Sequence, residues 1–258
     1  FLGLYRTRFH RDHDPLISII IPNKDHIDDL KRCMDSIDQK STYKNYEYII
    51  VENNSEKEET FSYYKKIESD QVHVVYYPDK FNYSKLNNFG VAHAKGDFYV
   101  LMNNDIEVLQ ENWMEQMLSN CEREEVGIVG ARLYYPDNTI QHAGLVIGIG
   151  GSLRGIGANL YQGMRRERSG YLHRAAFQMN YSAVTAALMM VKKEVYEKLS
   201  YLSYAPMIFI SAKTGQRVDK LFDMINNVAK QNALRVSTSV LNQVINEAIA
   251  IVQPPTDK

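Results

Sequence analysis

The sequence predicts an α/β fold in which helices flank a mostly parallel sheet. The first observation is alternation, because short β-branched runs and segments with helical spacing follow one another from Leu16 to Ala131. The second is that several of these runs end in polar clusters, as strands do where open α/β sheets bind ligands. The third is size: 258 residues, 45% of them hydrophobic, suffice for one large domain or a domain and a half.

The first part of the alternation contains three strands and two helices. The first strand ends at Pro22 and Asn23, which favour a turn. The second helix has Ser55 as its predicted N-cap, followed by acidic residues that suit a helix N-terminus. The predicted elements are a strand at Leu16–Ile21, a helix carrying Ile27, Leu30, Met34 and Ile37, a strand at Tyr48–Val51, a helix at about Glu56–Ser69 and a strand at Val72–Tyr76.

The second part continues in the same order. A helix over Ser84–Ala94 is predicted to end at Gly96, which would supply a C-cap. A strand then begins at Phe98, a helix covers Gln110–Asn120, and another strand covers Val126–Ala131. The turn residues Pro136-Asp137-Asn138-Thr139 lie between two apolar stretches and predict a hairpin.

Polar clusters follow three of the predicted strands and, if these strands are adjacent, form one polar rim. Within the rim, Asn103 and Asp105 offer hard oxygen ligands to a divalent cation. Taken alone, Asn-Asn-Asp is equally good turn chemistry. The chain contains neither a G-x-x-x-x-G-K-[ST] phosphate loop nor a G-x-G-x-x-G that opens a helix after a strand. The three clusters are Pro22-Asn23-Lys24-Asp25, Glu52-Asn53-Asn54-Ser55 and Asn103-Asn104-Asp105.

Composition narrows the class of protein. A formal net charge of −1 gives no general reason to expect nucleic acid or an anionic membrane as a partner. Cys33 and Cys121 lack metal-site spacing, which favours a reducing cytosolic setting. The longest apolar run, Ala183–Val191, is too short to span a bilayer, and no signal peptide is recognised. Because residue 1 is Phe, we expect a fragment of a longer protein.

Several ordered blocks give a specific resemblance. Residues from Pro15 to about Leu199 resemble the family-2 glycosyltransferases of GT-A fold, in particular the rhamnosyltransferase-like branch. The matching blocks are SIIIPNKDHIDDLKRCMDSI, YIIVENNS, FNYSKLNNFGVAHAKGDFYVLMNNDIEV, YYPDNTIQHAGLVIG and YSAVTAALMMVKKEVYEKL.

This resemblance implies inverting transfer of a sugar from a nucleoside-diphosphate donor, UDP- or dTDP-linked, to an acceptor hydroxyl. It implies Mg²⁺ or Mn²⁺ as cofactor and a glycan or lipid-linked acceptor in bacterial cell-surface polysaccharide. The implied location is the cytoplasm, peripheral to the inner face of the membrane, with neither DNA nor RNA as an expected partner.

The resemblance also carries roles to individual positions. Asn103-Asn104-Asp105 stands at the D-x-D signature with Asn in place of the first Asp, which leaves Asp105 as the metal carboxylate. The remaining nucleotide-sugar-binding positions are Pro22, Asn23 and Asp25 beside the nucleoside, Glu52 at the base, Asn87 and Asn88 in the helix that approaches the donor, and Asn103 and Asn104 in the signature itself.

Two further motifs have an open interpretation. Gln141-His142-Ala143-Gly144 follows the predicted hairpin, and the resemblance places it near donor sugar and acceptor, although a lone His is more often structural. A basic run could hold a diphosphate or an anionic acceptor, but such a run is more often a solvated loop. It comprises Arg165, Arg166, Arg168, His173 and Arg174, with Tyr171 among them.

The family pattern stops near Leu199. The Asn-Asp-Val-Asp segment that would supply the family's catalytic base is absent, so the base is unknown and His142 is a weak candidate. The segment from about Ser200 instead resembles the Der (EngA) family of tandem-GTPase ribosome-assembly proteins, and it predicts an appended strand and two helices. Ser211-Ala212-Lys213 matches the guanine-side loop of such GTPases, but without a phosphate loop we expect no GTP binding.

The expected organisation is a lead-in over 1–14, a truncated GT-A domain over 15–199 and a partial GTPase/KH-like fragment over 200–258. The absence of a Gly-, Ser- or Pro-rich linker at the junction suggests a chimera. The first functional hypothesis is a glycosyltransferase impaired by loss of the base segment. The alternatives are a GTPase-derived ribosome-assembly or RNA-binding fragment and a non-functional chimera.

Overall fold

The structure is a computed structural model that describes residues 9–147 and 157–200. The chain divides into two units, Phe1–Tyr204 and Ala205–Lys258. The predicted C-terminal strand and two helices, including Ser211-Ala212-Lys213, lie outside the described residues.

A six-stranded sheet with the order β3-β2-β1-β4-β10-β5 forms the centre of the first unit. The first four strands in the chain are mutually parallel, whereas β10 runs antiparallel to both of its neighbours. The mostly parallel sheet predicted from the sequence is confirmed. Its strands are β1 (Ile17–Asn23), β2 (Tyr46–Glu52), β3 (Val72–Tyr76), β4 (Phe98–Met102), β5 (Ile128–Gly130) and β10 (Leu188–Lys192).

Helices cover both faces of this sheet. On one face, buried side chains of α1, α2 and α4 join a core with Ile17, Ile19 and Ile21 of β1. On the other face, α3 and α5 pack against Ile20 and Tyr99. This two-sided burial is why the strands read as continuous apolar runs. The helices are α1 (Ile27–Lys40), α2 (Glu58–Ile67), α3 (Tyr83–Val91), α4 (Trp113–Cys121) and α5 (Lys193–Ser200).

Two predicted helix caps are wrong. Helix α3 ends at Val91 and Ala92 is its C-cap. Gly96, the predicted C-cap, therefore lies five residues beyond the end of the helix. Gly96 instead allows the chain to approach β1, because a Cβ there would lie 2.6 Å from the carbonyl oxygen of Leu16. Helix α2 begins after Lys57, and the side chain of Ser55 makes no cap hydrogen bond to it.

Strand β10 was not among the predicted strands, although its residues lie in a recognised apolar run. It pairs with β4 from Leu188 opposite Met102 to Lys192 opposite Phe98, and separates β4 from β5. This antiparallel insertion joins segments about ninety residues apart in the chain, so no local pattern signals it.

Two small hairpins lie between β5 and β10. One pairs β6 (Leu133–Tyr134) with β7 (Ile140–His142), which confirms the hairpin predicted around 136–139. The other pairs β8 (Leu145–Ile147) with β9 (Gly157–Asn159). In the part of the chain that the structure describes, none of the helices has the length and apolar character needed to cross a membrane.

The close approach of α3 to the sheet at Gly90 yields a stability prediction. A Cβ at Gly90 of α3 would lie 2.5 Å from Cγ2 of Ile20 and 2.8 Å from Cγ2 of Val51. Gly90→Ala should therefore lower the free energy of unfolding by about 1–3 kcal/mol through overpacking. An ordinary helical Gly→Ala change would instead stabilise by roughly 1 kcal/mol.

Urea unfolding followed by the fluorescence of Trp113, the single and buried tryptophan, measures this change. Ser84→Ala on the exposed side of α3 is the control and should leave the unfolding free energy nearly unchanged. A Gly90→Ala protein as stable as the native chain would disprove the close packing.

Candidate functional site

The register of the parallel strands brings the polar rim together. Asn23 at the end of β1 pairs with Glu52 at the end of β2, and Ile20 pairs with Leu101 near the end of β4. Pairing of β1 with β4 stops before Pro22, so the missing N–H of this proline removes no hydrogen bond to β4. The three predicted clusters therefore lie at neighbouring strand ends of one sheet edge.

A relay of buried and partly buried hydrogen bonds connects these strand ends. The Asn104 amide Nδ2 donates to Oδ1 of Asn23 at 2.6 Å, and Nδ2 of Asn23 donates to the Tyr64 hydroxyl at 2.8 Å. The Tyr64 hydroxyl then donates to Oε2 of Glu52 at 2.6 Å. Ser55 completes the relay, because both its backbone N–H and its hydroxyl donate to the Glu52 carboxylate.

The chemistry of the last acceptor fixes the direction of the relay. The Glu52 carboxylate accepts three hydrogen bonds, so Tyr64 must donate to it and in turn must accept from the amino group of Asn23. The Asn23 oxygen is then left to accept from the amino group of Asn104. As a result the amide oxygen of Asn104 is turned away from the relay, and it has no hydrogen-bond partner among the described residues.

Asn103 presents a second amide oxygen close by. Its backbone N–H donates to the carbonyl oxygen of Ala187 at 3.0 Å, which secures the end of β4. The Tyr83 hydroxyl donates its one hydrogen to the Ala186 carbonyl oxygen at 2.7 Å and lies 3.4 Å from Oδ1 of Asn103. The Asn103 oxygen therefore receives at most a weak share of that hydrogen bond.

Asp105 is the exposed carboxylate of the rim and follows these two amides. The donor set is hard oxygen, which fits Mg²⁺ or Mn²⁺ when phosphate oxygens and water complete the coordination. Burial and the charge of Asp105 raise the pKa of the nearby Cys33 thiol to about 12, so this sulfur is a protonated neighbour rather than a ligand. Within 9–147 and 157–200 no three His, Cys, Asp or Glu side chains group as a ready-made metal site.

Asp25 has a structural task in the rim. Its carboxylate accepts from the backbone N–H groups of Glu56 and Lys57 and from the hydroxyl of Thr60, and thereby caps α2 from a different loop. Desolvation raises the pKa of Asp25, but these hydrogen bonds outweigh it and hold the pKa below its ordinary value. The cap fixes the start of the helix that carries Tyr64.

The two asparagines predicted in α3 differ from each other. Asn87 is buried, donates to the Tyr83 carbonyl oxygen at 2.8 Å, and has a buried Oδ1 without a partner in the described chain. Asn88 is exposed and its Oδ1 accepts from the Tyr196 hydroxyl of α5. Tyr196 in turn lies near Tyr83, whose hydroxyl is 3.4 Å from Oδ1 of Asn103.

His142 is buried, and both of its ring nitrogens have partners. Nδ1 lies 2.6 Å from Oδ1 of Asn159 and donates to it, while Nε2 accepts from the backbone N–H groups of Gly144 and Thr185 at 3.3 Å each. Desolvation lowers the pKa of His142, although the bond to Asn159 opposes this change. The neutral imidazole therefore ties three segments together, and neither nitrogen is free to accept a proton from a substrate.

The family model described as "Glycosyl transferase family 2" matches residues 18–199. The chain belongs to glycosyl transferase family 2. This membership agrees with the family resemblance given by the ordered blocks.

A solved structure and two curated relatives are consistent with this family. The structure is titled mannosyltransferase PcManGT from Pyrobaculum calidifontis in complex with GDP-Man and Mn²⁺; its TM-score is 0.51 at 13% identity, over 77% of this chain and 50% of that one. It establishes the likeness of fold. The family-2 chain is also 42% identical over 201 residues to the uncharacterized protein y4gI of Sinorhizobium fredii, and 33% identical over 195 residues to the O-antigen biosynthesis protein RfbC of Myxococcus xanthus.

The matches to y4gI and RfbC cover 77% and 76% of this chain but only 22% and 15% of those two proteins. The chain thus spans less than a quarter of the length of either protein.

A C-terminal segment is similar to GTPase Der, as the sequence resemblance indicated. It is 55% identical over 74 residues to the protein from Acetivibrio thermocellus, which is 29% of this chain and 17% of Der. A match of that length must begin at or before Thr185. Residues 185–199 at least are therefore common to the Der match and the family-2 match.

Sequence reasoning missed Tyr64 and Tyr83, which hold the rim amides in place. Tyr64 is buried and Tyr83 is half-buried, and an aromatic residue at such a helix position is ordinary core composition. The one signal was position, since both helices directly follow polar clusters or turns at the same sheet edge.

The relay predicts a specific role for the Tyr64 hydroxyl. Tyr64→Phe should lower the free energy of unfolding by about 1–3 kcal/mol, because it leaves the buried amino group of Asn23 unpaired and removes a donor from Glu52. Tyr63→Phe is the matched control, since the neighbouring hydroxyl makes no hydrogen bond within the described residues. Urea unfolding of both variants tests the relay, and equal effects would contradict it.

His142 predicts a pH dependence. Because its folded-state pKa is lowered, its contribution to stability is complete above the ordinary imidazole pKa of about 6.5 and is lost as the pH falls below it. His142→Gln should reduce stability at pH 7 and should flatten the decline between neutral and mildly acidic pH. Urea unfolding at several pH values, with exposed His10→Gln as the control, measures this change; an equally steep decline in His142→Gln would refute the assignment.

Proposed function

We propose that this chain binds a nucleoside-diphosphate sugar at the polar rim with a divalent cation, and that it serves glycosyl transfer in cell-surface polysaccharide synthesis. The observation that carries the proposal is the orientation of the relay, which leaves the Asn104 oxygen unpartnered beside the exposed carboxylate of Asp105. Support comes from family-2 membership and from the names of two similar proteins, one for O-antigen biosynthesis and one in complex with GDP-Man and Mn²⁺.

In this proposal Asp105 binds the cation, with the amide oxygens of Asn103 and Asn104 beside it. Mg²⁺ or Mn²⁺ would stabilise the negative charge that develops on the β-phosphate oxygens of the leaving nucleoside diphosphate. The rest of the rim positions the donor. Pro22, Asn23 and Glu52 border the nucleoside, and Asp25 acts indirectly by fixing α2.

The two asparagines of α3 are given separate roles. The buried, unpartnered oxygen of Asn87 is available to a group of the sugar donor, and Asn88, whose Oδ1 accepts from the Tyr196 hydroxyl, would offer its amide nitrogen to the donor.

The donor is proposed to be UDP- or dTDP-linked, and the acceptor a hydroxyl of a glycan or of a lipid-linked saccharide. Transfer would proceed by direct displacement with inversion. The expected setting is the cytoplasmic side of the membrane, with residues 15–199 as the transferase domain and 200–258 as the Der-like fragment.

Turnover also requires a general base for the acceptor hydroxyl. With both nitrogens of His142 engaged, the described residues bind the donor more readily than they activate an acceptor. Donor binding is therefore the part of the reaction to test first.

Isothermal titration calorimetry with UDP, dTDP and GDP, each with Mn²⁺ or Mg²⁺, tests the site. Asp105→Ala should weaken metal-dependent binding at least about tenfold, or ~1.4 kcal/mol, because the rim loses its carboxylate ligand. Asp97→Ala removes an exposed carboxylate from the other end of β4 and should leave binding unchanged.

Undiminished binding in Asp105→Ala would refute the metal assignment. No heat with any nucleotide, together with non-cooperative unfolding, would instead support the non-functional chimera.

A further inference from the structure

The arginines of this chain fall into two groups. Arg11, Arg32 and Arg123 each form an ion pair with a carboxylate. The other five in the described ranges have no carboxylate within 4.0 Å there, and we call them the arginine face. They are Arg132, Arg165, Arg166, Arg168 and Arg174.

The members of the arginine face lie together. The guanidinium carbons of Arg132 and Arg166 lie 5.0 and 4.8 Å from the centre of the Tyr134 ring, and Nη2 of Arg132 donates to the Arg166 carbonyl oxygen at 3.2 Å. Arg174 is a third member, because both it and Arg132 lie near the Tyr181 hydroxyl. Burial raises the pKa of this hydroxyl, and the positive charges of the two arginines oppose the rise. Arg165 and Arg168 belong to the same loop.

This concentration of positive charge is incompletely compensated. The nearby acidic residues are Asp137 and Glu167, and the Asp137 carboxylate already accepts from the backbone and hydroxyl of Thr139. Moreover, Nε of Arg132 is buried and has no hydrogen-bond partner among the described residues. A buried donor on a charged group costs free energy until an acceptor reaches it.

Exposed apolar side chains border the arginine face. Tyr171 and Leu172 are 74% and 67% exposed in a 3₁₀ turn that ends next to Arg174. Leu172 and His173 have positive φ values of 49° and 60°, so the turn holds this presentation at a cost in backbone strain. Arginines beside exposed aromatic and aliphatic groups are typical of surfaces that contact lipid headgroups and the acyl boundary.

We propose that the arginine face binds a lipid-borne phosphate, with Tyr171 and Leu172 entering the lipid boundary. Phosphate is the favoured anion because guanidinium groups match it with two parallel hydrogen bonds. A lipid is favoured over RNA because two guanidiniums already lie against the Tyr134 ring and limit its use for base stacking, and because Leu172 offers no stacking surface.

This inference rests on the proposed function only for the source of the phosphate, which would be a lipid-linked acceptor or the membrane itself. Vesicle binding and nucleotide binding are separate measurements. Failure of the rim site would abolish the calorimetric signal and leave vesicle binding intact, whereas failure of the arginine face would do the reverse.

The test is co-sedimentation of the full 258-residue chain with vesicles of phosphatidylcholine, alone or mixed with phosphatidylglycerol or phosphatidic acid at equal surface charge. We expect binding to both anionic mixtures and little to phosphatidylcholine alone. Each arginine at such a surface strengthens binding about fivefold, so Arg166→Gln/Arg174→Gln should weaken it about 30-fold.

Arg32→Gln/Arg123→Gln is the matched control, because it removes two charges, of exposed Arg32 and half-buried Arg123, that are already paired with carboxylates. Equal weakening by both double variants, or no binding to any vesicle, would overturn the proposal. Two further results would also overturn it: glycerol 3-phosphate in solution binding as tightly as the vesicles, which would indicate a soluble phosphate ligand, and binding of an RNA oligonucleotide without vesicle binding.

Discussion

The acceptor-only chemistry of the Glu52 carboxylate is the constraint on which the rim depends. Because a carboxylate cannot donate, each hydroxyl or amide in the relay has a single allowed orientation back to Asn104. Through this series of hydrogen bonds, the Glu52 carboxylate at the end of β2 determines the orientation of the Asn104 amide at the end of β4. The relay thus orients the Asn104 amide in the ligand-free protein, which would reduce the ordering that the proposed binding requires.

Two other features keep the relay in register. Parallel pairing places Asn23 opposite Glu52, and the backbone N–H of Asn53 donates to the Asn23 carbonyl oxygen at 3.0 Å, which extends the pairing by one residue. Asp25 then caps α2, so Tyr64 reaches Asn23 from a helix whose start is fixed by the same loop. Asp25, which was predicted to lie beside the nucleoside, therefore supports the other rim residues that are proposed to bind it.

The sequence was informative where the physics is local. Apolar runs and helical spacing gave β1 to β4 and the first four helices, and the polar strand ends gave the rim, because parallel strands must end at one edge. Two features required tertiary information. Strand β10 depends on pairing with β4 across a long stretch of chain, and the cap of α2 comes from Asp25 rather than from Ser55 beside it. An Asp before a helix suggests a cap only when it is adjacent in sequence, so no periodicity could assign this one.

Charge is distributed differently in the two surfaces that the proposals concern. The rim consists mostly of amides and hydroxyls. Its Glu52 carboxylate already accepts hydrogen bonds from three donors, whereas Asp105 is exposed. In the proposed function, a cation and a phosphate complete this rim together. The arginine face has the opposite character, since its charges lack carboxylate partners in the described chain and Nε of Arg132 lacks an acceptor. Both proposals assign a phosphate to these surfaces, and His142, with both ring nitrogens bonded, joins three segments without a nitrogen free to act as a base. Both proposals therefore concern the binding of phosphate-bearing molecules, and proton transfer in the proposed glycosyl transfer would require a group other than His142.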